Sequence, residues 1–584
     1  MKTIKHFFSF LLPMLLVAVV MLSSCSSSTD SKDDKETKEE AVETKQASDN
    51  NREGFKTKSA DRTDDINVSR SESQPNIKSG RNESIIPYYA MFVANIDFGV
   101  IWQKGEFDNL KNLDIVKEMR KEIRQEDPAV DRLLGGFLNN PSSCGINMNE
   151  NMIFFATQEG RNTIFVFSFL LSSRNDFESF ANKISQLDEY GSGFQREYDS
   201  DNNVYYSSFE GAVAVYNDDR LLFVFSENDR LSTDYLKNYS IDLLKLNKRD
   251  CITQVNSFKE YWNNHGDISI FLMYENISYF AQKNHIDDLI PQNMMNELEH
   301  MASYITFSME KGSVEARINT IGMPESIRGI TDNRFNKNII KYMPEKTFAA
   351  VTLSLNPEKI VSFVNEIAGK DSPMNQKAGV RNYKTRDLVN AFGGSIVASF
   401  YGMIDDEMPA VALAADITNK EIIKAILEEL GFEKNGDFYS NYENTVKVYL
   451  TDNVVVMSTD RALLRKAVDG GYSNSLKDIA NKAKEGNYAY INLNLNKYPA
   501  QIVDRINEEA FTKYDYYGYT TYLDEEEMRI FYEMMGWFTF ADAQLDSNGL
   551  VVKIHTADTS TNSLSFLIRK FDRLIISIMN SSNY

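Results

Sequence analysis

The sequence predicts an α+β fold: two duplicated halves of mainly antiparallel sheet with packed helices, preceded by a disordered tether. Three observations predict it. Five blocks of residues recur in one order within 84–338 and 339–584. Polar turns, as in "EYDSDNNVYY" and "NGDFYSNYENTVKVY", join apolar runs closely enough to make antiparallel hairpins. Ahead of the first block, from Ser26 to about Gly80, the chain is almost devoid of apolar residues, with Phe55 its one aromatic.

The chain opens with Lys2 and Lys5 and the apolar run "FFSFLLPMLLVAVVML", residues 7–22, interrupted by Pro13. A charged start and a short apolar run are the marks of a secretory signal. A permanent span needs about 20 apolar residues. "LSSC", Leu22 to Cys25, then resembles the bacterial lipobox. Small residues let a peptidase reach an extended bond, and the cysteine thiol is the one strong nucleophile nearby. Residues 1–24 are therefore expected to be removed and Cys25 to be lipidated. One acyl chain anchors only marginally, so the resemblance implies a multiply acylated Cys25 that ties the protein to a membrane.

Ser26 follows the cysteine where an aspartate would favour retention in the inner membrane, which points to the outer membrane. The acidic cluster "DSKDDKE", residues 30–36, resembles the export signals of surface lipoproteins, although it starts five residues after Cys25. Periplasmic-facing and surface-exposed placements both stay open. Residues 25–83 are too polar to offset the entropy of ordering and are expected to form an acidic tether. As a coil it would hold the body roughly 40 Å from the bilayer.

The whole chain has 584 residues, 63 basic against 84 acidic, for a net charge of −21. That balance excludes nucleic acid, whose phosphates need basic partners. No later apolar run approaches a membrane span, so the part after Cys25 is expected to be soluble. With Cys25 committed to lipid, Cys144 and Cys251 either pair in an oxidising compartment or stay as buried thiols.

The duplication runs element by element. "IIPYYAMFVANIDFGVIWQKG" from Ile85 matches "YMPEKTFAAVTLSLNPEKIVSF" from Tyr342, with Pro87 against Pro344. "TIFVFSFLLSSRNDFESFANKI" from Thr163 matches "PAVALAADITNKEIIKAILEEL" from Pro409. In each, an apolar strand passes through a polar cap into a helix with i, i+3, i+4 apolar spacing. "DRLLFVFSENDRLSTDYL" then matches "DNVVVMSTDRALLRKAV", placing Asp229-Arg230 against Asp460-Arg461, with the aspartates expected as helix caps. The blocks from Asn256 and Asn474 follow. Last come hairpins from Tyr304 and Phe538 that turn at Gly312 and Gly549. Each half reads β-α-β-β-α-β-β-β-α-β-α-β-β.

These residues resemble a domain-of-unknown-function family of lipoproteins from Bacteroides-type bacteria. The opening motif "IIPYYAMFVANIDFGVIWQKG" and the turn "NNPSSCGINMNENMIFFA" from Asn139 carry the resemblance, which covers most of residues 84–584. It implies location and fold, and it brings no catalytic signature. The tether is longer than the family leads one to expect.

Chemistry is sparse. After Cys25 the histidines are His265, His285, His300 and His555, and no H-E-x-x-H, C-x-x-C, G-x-S-x-G or Walker loop occurs. Glu297 and His300 share a helix face near "HIDDL", but a single such pair is better explained as a solvated helix end. No metal, cofactor or catalytic residue is assigned. Gly135-Gly136 and Gly393-Gly394 are expected as helix C-caps. The one unusual composition is "FTKYDYYGYTTYLDEEE". Tyr514, Tyr516, Tyr517, Tyr519 and Tyr522 crowd around Gly518 without strand or helix periodicity, which reads as a loop ahead of a helix capped by Asp524. Tyrosines with flat apolar faces and polar tips suit an envelope protein or a glycan as partner. The expectation is a lipid-anchored, non-enzymatic binding or structural protein. An envelope hydrolase or glycan-processing accessory is the alternative, whose carboxylate pair only spatial geometry can reveal.

Overall fold

Alternating apolar residues build strands with one buried and one lighter face, and each half makes ten of them in the large sheet. The computed structural model describes residues 82–581, apart from 161, 187–193, 210, 227–230, 277–300, 332–333, 370–371, 511, 515–519, 523–524 and 547–548. The first half holds β1 (Phe92–Asp97), β2 (Asn151–Glu159), β3 (Asn162–Leu170), β4 (Glu197–Asp199), β5 (Val204–Phe209), β6 (Ala212–Tyr216), β7 (Arg220–Ser226), β8 (Ile268–Met273), β9 (Ala302–Glu310) and β10 (Ser313–Ile321). The second holds β11 (Ala349–Ser354), β12 (Phe392–Met403), β13 (Pro409–Ile417), β14 (Glu433–Asn435), β15 (Phe438–Ser440), β16 (Lys447–Leu450), β17 (Val454–Ser458) and β18 (Tyr488–Asn492). After a separate hairpin, β19 (Thr512–Tyr514) and β20 (Thr520–Tyr522), it ends with β21 (Phe538–Asp546) and β22 (Gly549–Thr556).

The pairings give one 20-stranded sheet in the order β4-β5-β6-β7-β3-β2-β1-β8-β9-β10-β22-β21-β18-β11-β12-β13-β17-β16-β15-β14. Every one of its described pairings is antiparallel. Read from either outer edge inwards, the two halves follow the same order. They meet where β10 pairs with β22, and the residues there are matched by symmetry. The hairpins close at Glu310–Ser313 and at Asp546–Gly549. Aligned on those closures, Ala316 and Val552 are equivalent residues, and they pair with each other across the seam. The seam is thus an internal version of the self-complementary interface of a twofold dimer. Both halves lie in a single unit, residues 81–584.

Both cores sit on one face of this sheet. In the first half, Val93, Phe155, Val166, Leu222 and Phe271 bury against Leu236 and Ile241 of α1 (Thr233–Leu244) and Phe258 and Tyr261 of α2 (Asn256–Asn263). In the second half, Val397, Ala414 and Val456 bury against Ile339 and Ile340 of a 3₁₀ turn and Leu463 and Leu464 of α3 (Arg461–Val468). Both outer edges, β4 and β14, are three residues long and polar, which blunts them against further strand addition. Among the described residues no helix is long and apolar enough to cross a membrane.

Several expectations are corrected. Asn82 and Glu83 were expected in the tether but are buried in a 3₁₀ turn, where the Asn82 amide donates to the carbonyls of Asn151 (2.7 Å) and Ser168 (2.9 Å). Four strands, not three, lie between the second and third helical segments of each half. The extra one is an edge strand too short and polar to show alternation. Gly135 and Gly136 fall inside the helix Pro128–Asn139, where a Cβ on Gly135 would meet the Arg120 guanidinium. Gly393 and Gly394 begin β12, and Gly393 leaves room for the Asp416 carboxylate. Asp460 caps α3 as expected, accepting from the Ala462 amide at 2.7 Å. In the first half the cap is Ser232, and Asp229-Arg230 lie outside the described residues. Cys144 and Cys251 are buried and unbridged.

Candidate functional site: two cavities on opposite faces of one sheet

In a sheet, residues directly opposite each other point to the same side, so the pairings define each face. On the face away from the two main cores, one row runs Met309, Val314, Ile554, Ala541, Ile491, Ala349, Phe400 and Val411 across eight strands. Every residue in it is apolar. Ile491 is 46% exposed, and Ile554 and Val411 are 38% exposed. Ile318, from the neighbouring row, is 39% exposed. Among the described residues, helices pack on this face towards the outer strands. There Phe177 of the helix Arg174–Ser185 packs near Leu171 and Tyr216, and Ile422 and Leu427 of the helix Lys420–Glu429 pack on Ala415 and Val455.

The two halves finish this face differently. Register aligns Phe92, Phe154, Phe165, Phe167, Phe223 and Phe225 of the first half with Ala349, Ala398, Val411, Leu413, Met457 and Thr459 of the second. In the first half the rings pack into a continuous ladder. Phe154 stacks on Phe167 at 4.4 Å and lies edge-on to Phe92 at 5.3 Å, and Phe165 stacks on Phe225 at 5.2 Å. Aromatic pairs at such spacings attract beyond their buried area. In the second half the smaller side chains leave a cavity of about 500 Å³, lined by Ala349, Val351, Ala398, Leu413 and Met457 among others. That volume is in the range of small-molecule sites.

The opposite, helix-covered face inverts the difference. Here the seam strands carry polar residues, and Glu315 of β10 accepts an ion pair from Lys553 of β22 at 2.7 Å. Burial alone would raise the Glu315 pKa, but Lys553 and Arg317 outweigh it and hold the carboxyl below its usual range. In the first half a polar cavity of about 660 Å³ opens beside the seam, lined by Tyr304, Thr306, Glu315, Arg317 and Asn319 of β9 and β10 and by His265 beyond α2. The hairpin alignment makes Phe540, Asp542, Lys553 and His555 the second-half equivalents of Tyr304, Thr306, Arg317 and Asn319. They close the space. Lys482 and His555 (2.9 Å) both donate to the buried Asp542 carboxylate, and Phe540 stacks on His555 at 3.9 Å. Burial pushes the Asp542 pKa up, but these two donors more than reverse it and leave it lowered.

The residues singled out in the sequence fall elsewhere. Tyr514 and Tyr522 belong to the β19–β20 hairpin, so the expected loop is in part a pair of three-residue strands with Tyr514 opposite Thr520. Tyr516, Tyr517, Tyr519 and Asp524 lie outside the described residues, as do Cys25, His285, Glu297 and His300. His265 and His555 are not brought together: one lines the polar cavity, and the other belongs to the Asp542 network. No cluster of metal-ligating side chains occurs among the described residues. Sequence reasoning missed both cavities. The signal for one was present in the matched block, where "IFVFSF" of the first half faces "AVALAA" of the second.

Fold and site together define a class: a twofold-repeated α+β body with one continuous antiparallel sheet and an open cavity on each face. The chain belongs to the domain-of-unknown-function family DUF4836, whose match covers residues 82–523. No curated protein matches it. Among solved structures, crystal form III of TP0453 is similar at 9% identity over 43% of this chain and 84% of that one, with a TM-score of 0.23. Crystal form I of TP0453 is similar at 8% identity over 67% and 100%, with a TM-score of 0.18. Likeness at that level carries no argument about fold or function.

Proposed function

We propose that this is a lipid-anchored outer-membrane or surface protein that binds an acyl chain in the apolar cavity of its second half. The observation that carries the reading is the eight-strand apolar row with that cavity at its end. Side chains there offer carbon contacts and almost no hydrogen-bonding partner, which suits a hydrocarbon chain better than a protein, whose interfaces are rimmed by polar groups. The lipobox at Cys25 and the resemblance to lipoproteins of Bacteroides-type bacteria support the anchor, and an anchored body is always near bilayer lipid. Exposed contiguous apolar surface of this kind marks an interaction site in other proteins.

The test has two arms. Cys25→Ser should release the protein from the membrane fraction of cells expressing it, and continued firm attachment would end the anchoring claim. The full mature chain titrated with a fluorescent long-chain fatty acid should bind it, and Ala398→Phe with Leu413→Phe, which copy the first half into the second, should weaken that binding at least tenfold. Equal binding by the filled variant would refute the site.

A further inference from the structure

We infer that a tyrosine-walled corner around Glu159, in the first half, binds an organic ammonium group, independent of the acyl-chain reading. Tyr88 and Tyr89 are the two central residues of a tight turn, closed where the Ala90 amide donates to the Pro87 carbonyl at 3.0 Å. The turn is pinned from two further sides. The Tyr88 amide donates to the Asp250 carbonyl at 3.0 Å, and the Asn276 side-chain amide donates to the Ala90 carbonyl at 2.9 Å. This sets the two rings at right angles, 89° between their planes with centroids 5.5 Å apart. Tyr235, from the first turn of α1, joins them through its hydroxyl, 3.5 Å from the Glu159 carboxylate at the end of β2. Tyr88, Tyr235 and Tyr89 are 46%, 41% and 37% exposed, so these rings are not spent on the core. After Pro344, the equivalent of Pro87, come Glu345 and Lys346, and the second half has no such pair of rings at that turn.

What the corner lacks is positive charge. Glu159 is partly buried, burial raises its pKa, and the one contact that opposes the rise is the Tyr235 hydroxyl. No lysine, arginine or histidine among the described residues pairs with it. Burial of its hydroxyl pushes Tyr89 up to about 12, with the Glu159 charge adding to the shift. Tyr235 is likewise raised, by burial first and then by Glu159 and Asp242. The groups that face the corner are therefore neutral or negative, and a half-buried carboxylate without a counter-charge costs free energy that a cation would recover. The faces of tyrosine rings attract cations as well. A hard metal ion needs several oxygen ligands, and no cluster of that kind occurs among the described residues. An alkylated ammonium carries its charge under an apolar surface, so it can meet rings and carboxylate together. A neutral sugar would leave the Glu159 charge unanswered.

The experiment is titration of the full mature chain with choline, followed by the NMR signal of its methyl groups. The counter-probe is 3,3-dimethylbutan-1-ol, which has the same shape and no charge. Choline should bind saturably with a dissociation constant below about 10 mM, and the alcohol about tenfold more weakly. Glu159→Gln should weaken choline binding about tenfold, because it keeps the shape and removes the charge. Tyr88→Leu and Tyr235→Leu, both at exposed positions, should each weaken it about threefold while leaving the circular dichroism unchanged, so the outcome does not hinge on how well Glu159→Gln folds. Ala398→Phe with Leu413→Phe should leave choline binding intact, which keeps this site separate from the acyl-chain cavity. Co-sedimentation of the Cys25→Ser chain with phosphatidylcholine vesicles separates a lipid headgroup from a free solute as the source of the ammonium, and either source requires the same dependence on Glu159. No saturable choline binding, equal binding of the neutral alcohol, or affinities that none of the three variants changes would each overturn the inference.

Discussion

The two halves share every strand pairing of the large sheet and differ in what they leave open. On the face away from the main cores the first half fills its positions with stacked phenylalanines, while the second keeps a cavity over alanines. On the helix-covered face the first half keeps a polar cavity, and the second fills the matching space with Lys482, Asp542 and His555. Topology is held in common because it answers to strand pairing and core burial, which every repeat needs. The cavities are not held in common. Their inverse placement indicates that each half specialised one face and closed the other, so function is to be sought where equivalent residues disagree.

The sharpest way to break the pseudo-symmetry is at the seam. Gly549 has a positive φ of 144°, and a Cβ there would sit 2.0 Å from the Ile318 carbonyl oxygen across the β10–β22 pairing. Its equivalent, Ser313, carries a side chain without difficulty. Gly549→Ala should therefore destabilise the body by roughly 4 kcal/mol through clash and backbone strain, and Ser313→Ala by less than about 0.5 kcal/mol. Urea unfolding of the two variants gives the comparison. Equal effects would mean that the seam is not as tight as the pairing implies.

Next in size is the phenylalanine ladder. Phe154→Ala places the residue of Ala398 at its first-half equivalent and removes the ring that touches both Phe92 and Phe167. A loss of about 3 kcal/mol is expected, since a large side chain is deleted from packed neighbours. The same variant should gain affinity for the fluorescent fatty acid by opening a second cavity. Destabilisation without any gain in binding would show that an apolar hole alone does not make a site.

Much of this architecture could be read from the residues. Pro87 and Pro344, the strand-to-helix junctions after Leu170 and Ile417, and the Asp460 cap are local signals, and local signals survive in sequence. The order of strands across the sheet, the pairing of Ala316 with Val552, and the face on which each apolar residue lands depend on partners hundreds of positions away. A two-residue period states that a strand has two sides but not which one the helices will cover. The β19–β20 strands escaped notice because three residues each is too short for alternation to show, and Gly135-Gly136 were misplaced because close helix packing selects glycine as readily as a cap does. Both cavities are products of those long-range facts. The contrast between phenylalanine and smaller residues in the matched blocks was visible, and only the register gave it meaning.

The self-closed network of the second half carries a pH signature that the matching first-half position, Thr306, lacks. Asp542 is held below the ordinary carboxylate range, so its stabilising contribution is full above the unfolded value of about 3.9 and is lost as pH falls through the lower folded value. Wild-type stability should decline below about pH 4, and Asp542→Asn should flatten that part of the profile. At neutral pH it should cost about 2 kcal/mol for the lost charged hydrogen bonds. The equivalent change at Thr306, to Val, should alter no pH dependence. A curve for Asp542→Asn that parallels the wild type would detach the network from acid stability.

The smallest expected difference lies at two equivalent helix starts. Ser232 accepts from the Tyr235 amide at 3.2 Å to cap α1, and Asp460 accepts from the Ala462 amide at 2.7 Å to cap α3. Each cap satisfies an amide that the helix itself leaves unpaired, and replacing either with alanine should cost about 1 kcal/mol. The aspartate adds a negative charge at the positive end of the helix dipole and accepts from the Tyr401 hydroxyl at 3.3 Å. Asp460→Ala should therefore exceed Ser232→Ala by roughly 0.5 kcal/mol at low salt. The excess should shrink in 1 M sodium chloride, where the charge is screened and the hydrogen bond is not. Asp460→Asn should keep the cap, lose the charge and bring the two halves level, because what then remains at both sites is a neutral oxygen meeting a backbone N–H.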